Sequence, residues 1–97
     1  MKTLRFGFLS TARIAGKNWI SIHNSGNAVV AAVASRDIAR SRQFIKEHQA
    51  GAPFETVPTP FGSYEELIAS PNVDAVYIPL PTALRKEWVL RAAAAGN

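Results

Sequence analysis

Apolar positions along this chain fall into two kinds of run that alternate. Leu4–Leu9 (LRFGFL) is almost continuously apolar, the pattern of a strand covered on both faces of a parallel sheet. From Ala12 the spacing widens to Ala15, Trp19 and Ile22, the i, i+4, i+7 stripe of an amphipathic helix, and Asn24, Gly26 and Asn27 end it. Ala28–Ala34 (AVVAAVA) predicts a second strand, and after Ser35, Arg36 and Asp37 a polar amphipathic helix runs through about Gln49. Strand, helix and strand in this order close as a right-handed parallel crossover.

The second half repeats the alternation in shorter pieces. Residues 50–60 (AGAPFETVPTP) hold three prolines and predict a loop, with at most a short edge strand at Thr59–Phe61. Ser63, Tyr64, Glu65 and Glu66 match a capping box, with Ser63 as N-cap and Glu66 reaching back to its backbone. A short helix to Ala69 follows, and Ser70, Pro71 and Asn72 stop it. Residues 73–78 (VDAVYI) predict another buried strand, ended by Pro79, Leu80 and Pro81, which cannot all donate to a ladder. Thr82 can cap a last helix with Leu84, Trp88 and Ala92 as its buried stripe and Gly96 at its stop. The order predicts an α/β fold, a doubly wound parallel sheet. A further strand is expected after Gly96, so the sheet reads as truncated before its last strands.

Composition narrows the class. With 97 residues, 47% hydrophobic and 19% charged, the chain suits one small globular domain. The absence of cysteine excludes disulfides, thiolate chemistry and cysteine zinc sites. A formal charge of +4 raises the question of nucleic acid. However, Arg36, Arg40, Arg42 and Lys46 are interleaved with Asp37 and Glu47, as on charged outer helix faces, and there is no aromatic platform or basic stripe. Arg13 and Lys17 follow Leu4–Leu9 too soon for a signal peptide or a membrane span. A cytoplasmic chain without nucleic-acid or membrane partners is expected.

In a doubly wound sheet, ligands bind beyond the carboxyl ends of the strands. The first such end opens onto a predicted helix N-terminus, whose free N–H groups and dipole attract a phosphate. Against the spacing G-x-G-x-x-G the chain has Ser10, Ala12 and Ala15, small residues without the glycines. At the second end an NAD-selective site places a carboxylate, whereas here Ser35 and Arg36 stand, a hydroxyl donor and a guanidinium that suit a 2′-phosphate. Asp37, one or two places further on, reads as a cap. The third end offers rigid backbone at Pro79, Leu80 and Pro81 and a hydroxyl at Thr82. Each feature has a plain alternative: Arg36 as a solvated surface arginine, Ser35 as the N-cap of the next helix, residues 79–82 as a strand stop and helix cap. No catalytic acid or base stands out, and His23 and His48 lack metal-ligand spacing. Tyr64, Tyr77, Trp19 and Trp88 read as packing residues.

STARIAG after the first strand, VVAAVASRD at the second, and the run from Tyr64 to Gly96 with its N-V-D-A-V-Y-I strand, P-L-P-T turn and E-W helix together resemble the amino-terminal domain of the Gfo/Idh/MocA family, glucose–fructose oxidoreductase and inositol dehydrogenase. The similarity spans essentially the whole chain. It implies a Rossmann domain binding NADP, with NAD possible, followed by a separate substrate domain absent from residues 1–97. Family members exchange hydride between the nicotinamide and a sugar, cyclitol or related diol, and the full-length form is expected to be a homo-oligomer. By position, Ser10, Thr11, Ala12, Arg13 and Ile14 would line the pyrophosphate turn, Ser35 and Arg36 the adenosine 2′ position, and Pro79, Leu80, Pro81 and Thr82 the nicotinamide half. The family's Glu-Lys-Pro lysine would fall after residue 97, so the fragment is expected to be inactive alone. Arg85 stands where the family often has histidine, and residues 53–60 lengthen a loop. The competing reading is a non-catalytic Rossmann-like binding or scaffold module.

Overall fold

The computed structural model describes residues 3–11, 13–78, 87, 89–91, 93 and 94. Within them the elements run β1 (Leu4–Leu9), α1 (Arg13–Ser25), β2 (Ala28–Ala34), α2 (Ile38–Gly51), β3 (Thr59–Phe61), α3 (Tyr64–Ile68) and β4 (Ala75–Tyr77). The strands form one sheet in the order β3-β2-β1-β4, and every pairing is parallel. Each neighbouring pair along the chain is therefore joined by a crossover helix, the doubly wound arrangement that the alternation predicts.

Strand alternation sends side chains to two cores. Phe8, Val30 and Val33 meet Ala15 and Trp19 of α1 and Phe44 and Ile45 of α2 on one face. Leu9, Ala32 and Ala34 meet Leu67 and Ile68 of α3, with Val73, on the other. Between Phe6 and Gly7 the β1–β2 register slips, so that Gly7 pairs with Ala32 and Ala31 is the extra residue of a bulge. Gly7 faces α3 at close quarters: a Cβ there would lie 2.6 Å from Leu67 Cδ2 and 2.9 Å from Val73 Cγ1. Trp19 is fully buried and donates its Nε1–H to the Ala52 carbonyl at 2.9 Å, which ties α1 to the end of α2. His48 packs beside Trp19 and Phe44, and His23 against Phe54.

Three expectations change in detail. β4 is three residues long, not the six of 73–78, and Asp74 just before it pairs with Arg5. Its carboxylate accepts Arg5 Nε–H and an Nη2–H, each at 3.0 Å, as well as the Arg5 backbone N–H, while its own N–H donates to the Arg5 carbonyl at 2.8 Å. This hydrogen bonding holds the Arg5 pKa above its ordinary value. At α3, Ser63 caps as expected by accepting Glu66 N–H at 3.3 Å, but Glu66 Oε1 takes the Ser63 hydroxyl proton at 3.0 Å rather than the Ser63 backbone N–H. The helix after β2 is capped by Asp37, as its place predicts, through the Ala39 N–H at 2.9 Å, but it runs to Gly51 rather than Gln49. The predicted stripe of Leu84, Trp88 and Ala92, and the stop at Gly96, lie outside the described residues. No helix among the described residues is long and apolar enough to cross a membrane.

Candidate functional site

Parallel pairing brings Leu9 and Ala34, the last residues of β1 and β2, level with each other. The chain leaves both strands at the same edge. Ser10, Thr11, Ser35, Arg36, Asp37, Arg40 and Tyr64 there line a cleft of about 550 Å³. Ser10 and Ser35 are buried, Thr11 is half-buried, and the charged residues are exposed. Small side chains at the strand ends leave the backbone open to a ligand, as phosphate binding requires. The first turn of α1 carries no acidic residue that would repel an anion.

The charge of the cleft favours an anion as well. Among the described residues, no ion pair engages Arg36 or Arg40. The Asp37 carboxylate, part of the same cleft lining, already accepts the Ala39 N–H. Two guanidinium groups thus stand against one carboxylate whose hydrogen bonding is partly spent on the helix. A dianionic phosphate monoester matches that balance, and the forked donors of arginine match its geometry.

Beneath this surface lies a hydroxyl network. Ser35 Oγ is within hydrogen-bond reach of the Asp37 carbonyl and lies 2.9 Å from Ser41 Oγ, and Ser41 Oγ donates to the Phe61 carbonyl at 2.8 Å. Two hydroxyls carry two protons, so at most two of these three contacts are filled at once. Both residues are buried, and the Ser35 hydroxyl is engaged in this network.

Of the sequence-predicted site, the fold brings together Ser10, Thr11, Ser35 and Arg36. Arg13 and Ile14 open α1 nearby, exposed, and do not line the cleft. Ala12, Pro79, Leu80, Pro81 and Thr82 lie outside the described residues. Arg40 and Tyr64 are additions. Arg40 reads in the sequence as an outer-face charge, and the signal that could have found it is its place in the first turn after the Asp37 cap. Tyr64 packs against the second core as expected and also forms part of the cleft wall, because α3 starts just after the strand that pairs Phe61 with Ala34.

A second hollow, of about 440 Å³, sits at the opposite ends of the strands beside Arg5, Val29, Ala31, Thr59 and Asn72. Of its two charged lining residues, Arg5 is locked to Asp74, and the other is Glu55. Among the described residues, no group of three His, Asp or Glu side chains could hold a metal ion.

The family model for an oxidoreductase family with an NAD-binding Rossmann fold, Gfo/Idh/MocA, matches residues 4–97. The chain belongs to that family. Its Gfo/Idh/MocA relatives include D-xylose 1-dehydrogenase (NADP(+)) 2 of Haloferax volcanii, 43% identical over 93 residues that cover 96% of this chain and 26% of the relative. The mouse trans-1,2-dihydrobenzene-1,2-diol dehydrogenase is 36% identical over 96 residues, 97% of this chain and 27% of its own. Among solved structures, the 3-ketoreductase KijD10 of Actinomadura kijaniata in complex with NADP superposes with a TM-score of 0.81 at 31% identity, covering 99% of this chain and 28% of that one. The chain thus spans about a quarter of the length of these relatives, the part that is the NAD-binding Rossmann domain of a Gfo/Idh/MocA oxidoreductase.

Proposed function

We propose that this chain is the cofactor-binding portion of an NADP-preferring oxidoreductase acting on a sugar, cyclitol or related diol. The observation that carries the NADP preference is the pair of arginines, Arg36 and Arg40, exposed without ion-pair partners at the carboxyl end of β2. An NAD-selective site needs a carboxylate there to accept from the ribose hydroxyls. Here the nearby carboxylate, Asp37, accepts from a helix N–H and is flanked by guanidinium groups that attract a 2′-phosphate. Ser10 and Thr11 supply the pyrophosphate turn at the end of β1 with backbone that no large side chain obstructs. When bound, the cofactor supplies a nicotinamide that exchanges a hydride with the substrate carbon. Residues 1–97 bind and orient it, and pairing of β1 with β2 sets the distance between the pyrophosphate turn and the arginines.

On this reading the substrate pocket, the acid–base lysine and the homo-oligomer interface lie outside residues 1–97. The relatives' names support the substrate class: one acts on D-xylose and another on a dihydrobenzene diol. Titrating the purified protein with NADPH and with NADH, read by cofactor fluorescence, tests the proposal. Tighter binding of NADPH is expected, and equal binding of the two, or none of either, overturns it.

A further inference from the structure

We infer that Ser41 is a positioning residue for cofactor selectivity: the buried bridge Ser35–Ser41–Phe61 holds Arg36 and Arg40 in the arrangement that favours a 2′-phosphate over a free 2′-hydroxyl. The inference rests on the NADP reading above and adds a residue that touches no ligand. Ser41 has no exposed surface and Ser35 only 5%. Buried hydroxyls are retained where their hydrogen bonds are made, and this pair makes them across three elements. Ser35 follows β2, Ser41 lies in the first turns of α2, and Phe61 ends β3. Each arginine is adjacent in sequence to one of the two serines.

The Asp37 peptide completes the connection. Its carbonyl is within reach of the Ser35 hydroxyl and also accepts the N–H groups of Arg40 at 3.0 Å and Ser41 at 3.4 Å. The turn that carries Arg36 is therefore fastened to the helix that carries Arg40, and Ser41 fastens both to β3. Long, exposed arginine side chains bind a phosphate well only if their Cα positions are fixed, since otherwise each must be ordered on binding. The bridge fixes them beforehand.

Substitution at Ser41 leaves the fold standing. In Ser41→Ala the Phe61 carbonyl keeps the Ser35 N–H at 3.3 Å, and the Ser35 hydroxyl is free to donate to the Asp37 carbonyl, so no buried group is orphaned. What is lost is the anchor between α2 and β3.

The experiment compares 2′,5′-ADP with 5′-AMP, which differ in the 2′-phosphate, by calorimetric titration of the purified protein and its variants. The unsubstituted protein is expected to prefer 2′,5′-ADP. Ser41→Ala is expected to lose roughly three- to tenfold of that affinity, with 5′-AMP binding unchanged, the loss of about one hydrogen bond's net worth. In an Arg36→Ala/Arg40→Ala background the same substitution is expected to have no further effect. Equal weakening of both probes, an unchanged preference, or a Ser41→Ala effect that survives without the arginines each overturns the positioning role. An unsubstituted protein that does not distinguish the probes overturns the NADP reading itself. Amide exchange at residues 36–40, faster in Ser41→Ala and with no ligand present, reports the anchor independently, and an unchanged rate overturns it.

Discussion

Replacing Gly7 by alanine adds one methyl group at the point where α3 and the residues before β4 press closest to the sheet. The Cβ would sit 2.6 Å from Leu67 Cδ2 and 2.9 and 3.2 Å from the two Val73 methyls, all well inside van der Waals contact. Leu67 is fully buried and Val73 nearly so, which leaves neither a free direction in which to retreat. Overpacking of this kind costs about 1–3 kcal/mol. Against it, alanine restricts the unfolded chain and returns about 0.4–1 kcal/mol. From the middle of these ranges the balance is a destabilisation of about 1–2 kcal/mol, which for a domain of this size lowers Tm by roughly 4–16 °C. Thermal and urea denaturation followed by circular dichroism measure both. A second variant isolates the cause: with Leu67→Ala the methyl gains room, so the double substitution should be less destabilised than the sum of the two singles by about 0.5–1.5 kcal/mol. A Gly7→Ala protein with unchanged or raised Tm, or strict additivity with Leu67→Ala, would show that the close approach does not govern this position.

Further outcomes follow from the cleft and the first core. Arg40→Ala should weaken NADPH binding by roughly 5- to 30-fold while leaving NADH within about twofold, the loss of one charge-assisted contact; the preference should also shrink as salt is raised from low to physiological concentration. Asp37→Ser retains an oxygen for the Ala39 N–H and removes the one negative charge in the cleft wall. Its unfolding free energy should stay within about 0.5 kcal/mol of the parent while affinity for 2′,5′-ADP rises; weaker binding in calorimetric titration would mean that the carboxylate itself contacts the ligand. Trp19→Phe removes the Nε1–H bond to Ala52 and part of a fully buried ring, and urea denaturation should record a loss of about 1–3 kcal/mol.

Much of this architecture is written locally. β1 and β2 begin and end where continuous apolar runs do, and β3 is confined to three residues by its prolines. The stripe of Ala15, Trp19 and Ile22 marks the inner face of α1, and oxygen-bearing side chains at Asp37 and Ser63 fix where α2 and α3 start. These features depend on periodicities of two and 3.6 residues and on hydrogen bonds spanning two or three residues, all of which a linear pattern contains. The alternation of strands and helices likewise restricts the topology to a right-handed, parallel arrangement.

Other features come into being only when distant segments meet. Asp74, just before β4, pairs with Arg5, 69 residues away in sequence. Gly7 looks like a weak strand residue until Leu67 and Val73 arrive on it. Arg40 and Tyr64 share a cleft with Ser10 because three parallel strands end at one edge. Ser41, an unremarkable polar residue on a polar helix, is fully buried because the crossover sets that turn of α2 against the end of β3. The sequence by itself determined the elements, their order and the strand ends where a dinucleotide can sit, since each follows from short-range spacing. Only the tertiary structure decided which side chains face that site and what holds them there, since those contacts form between residues that the chain keeps far apart until the sheet assembles.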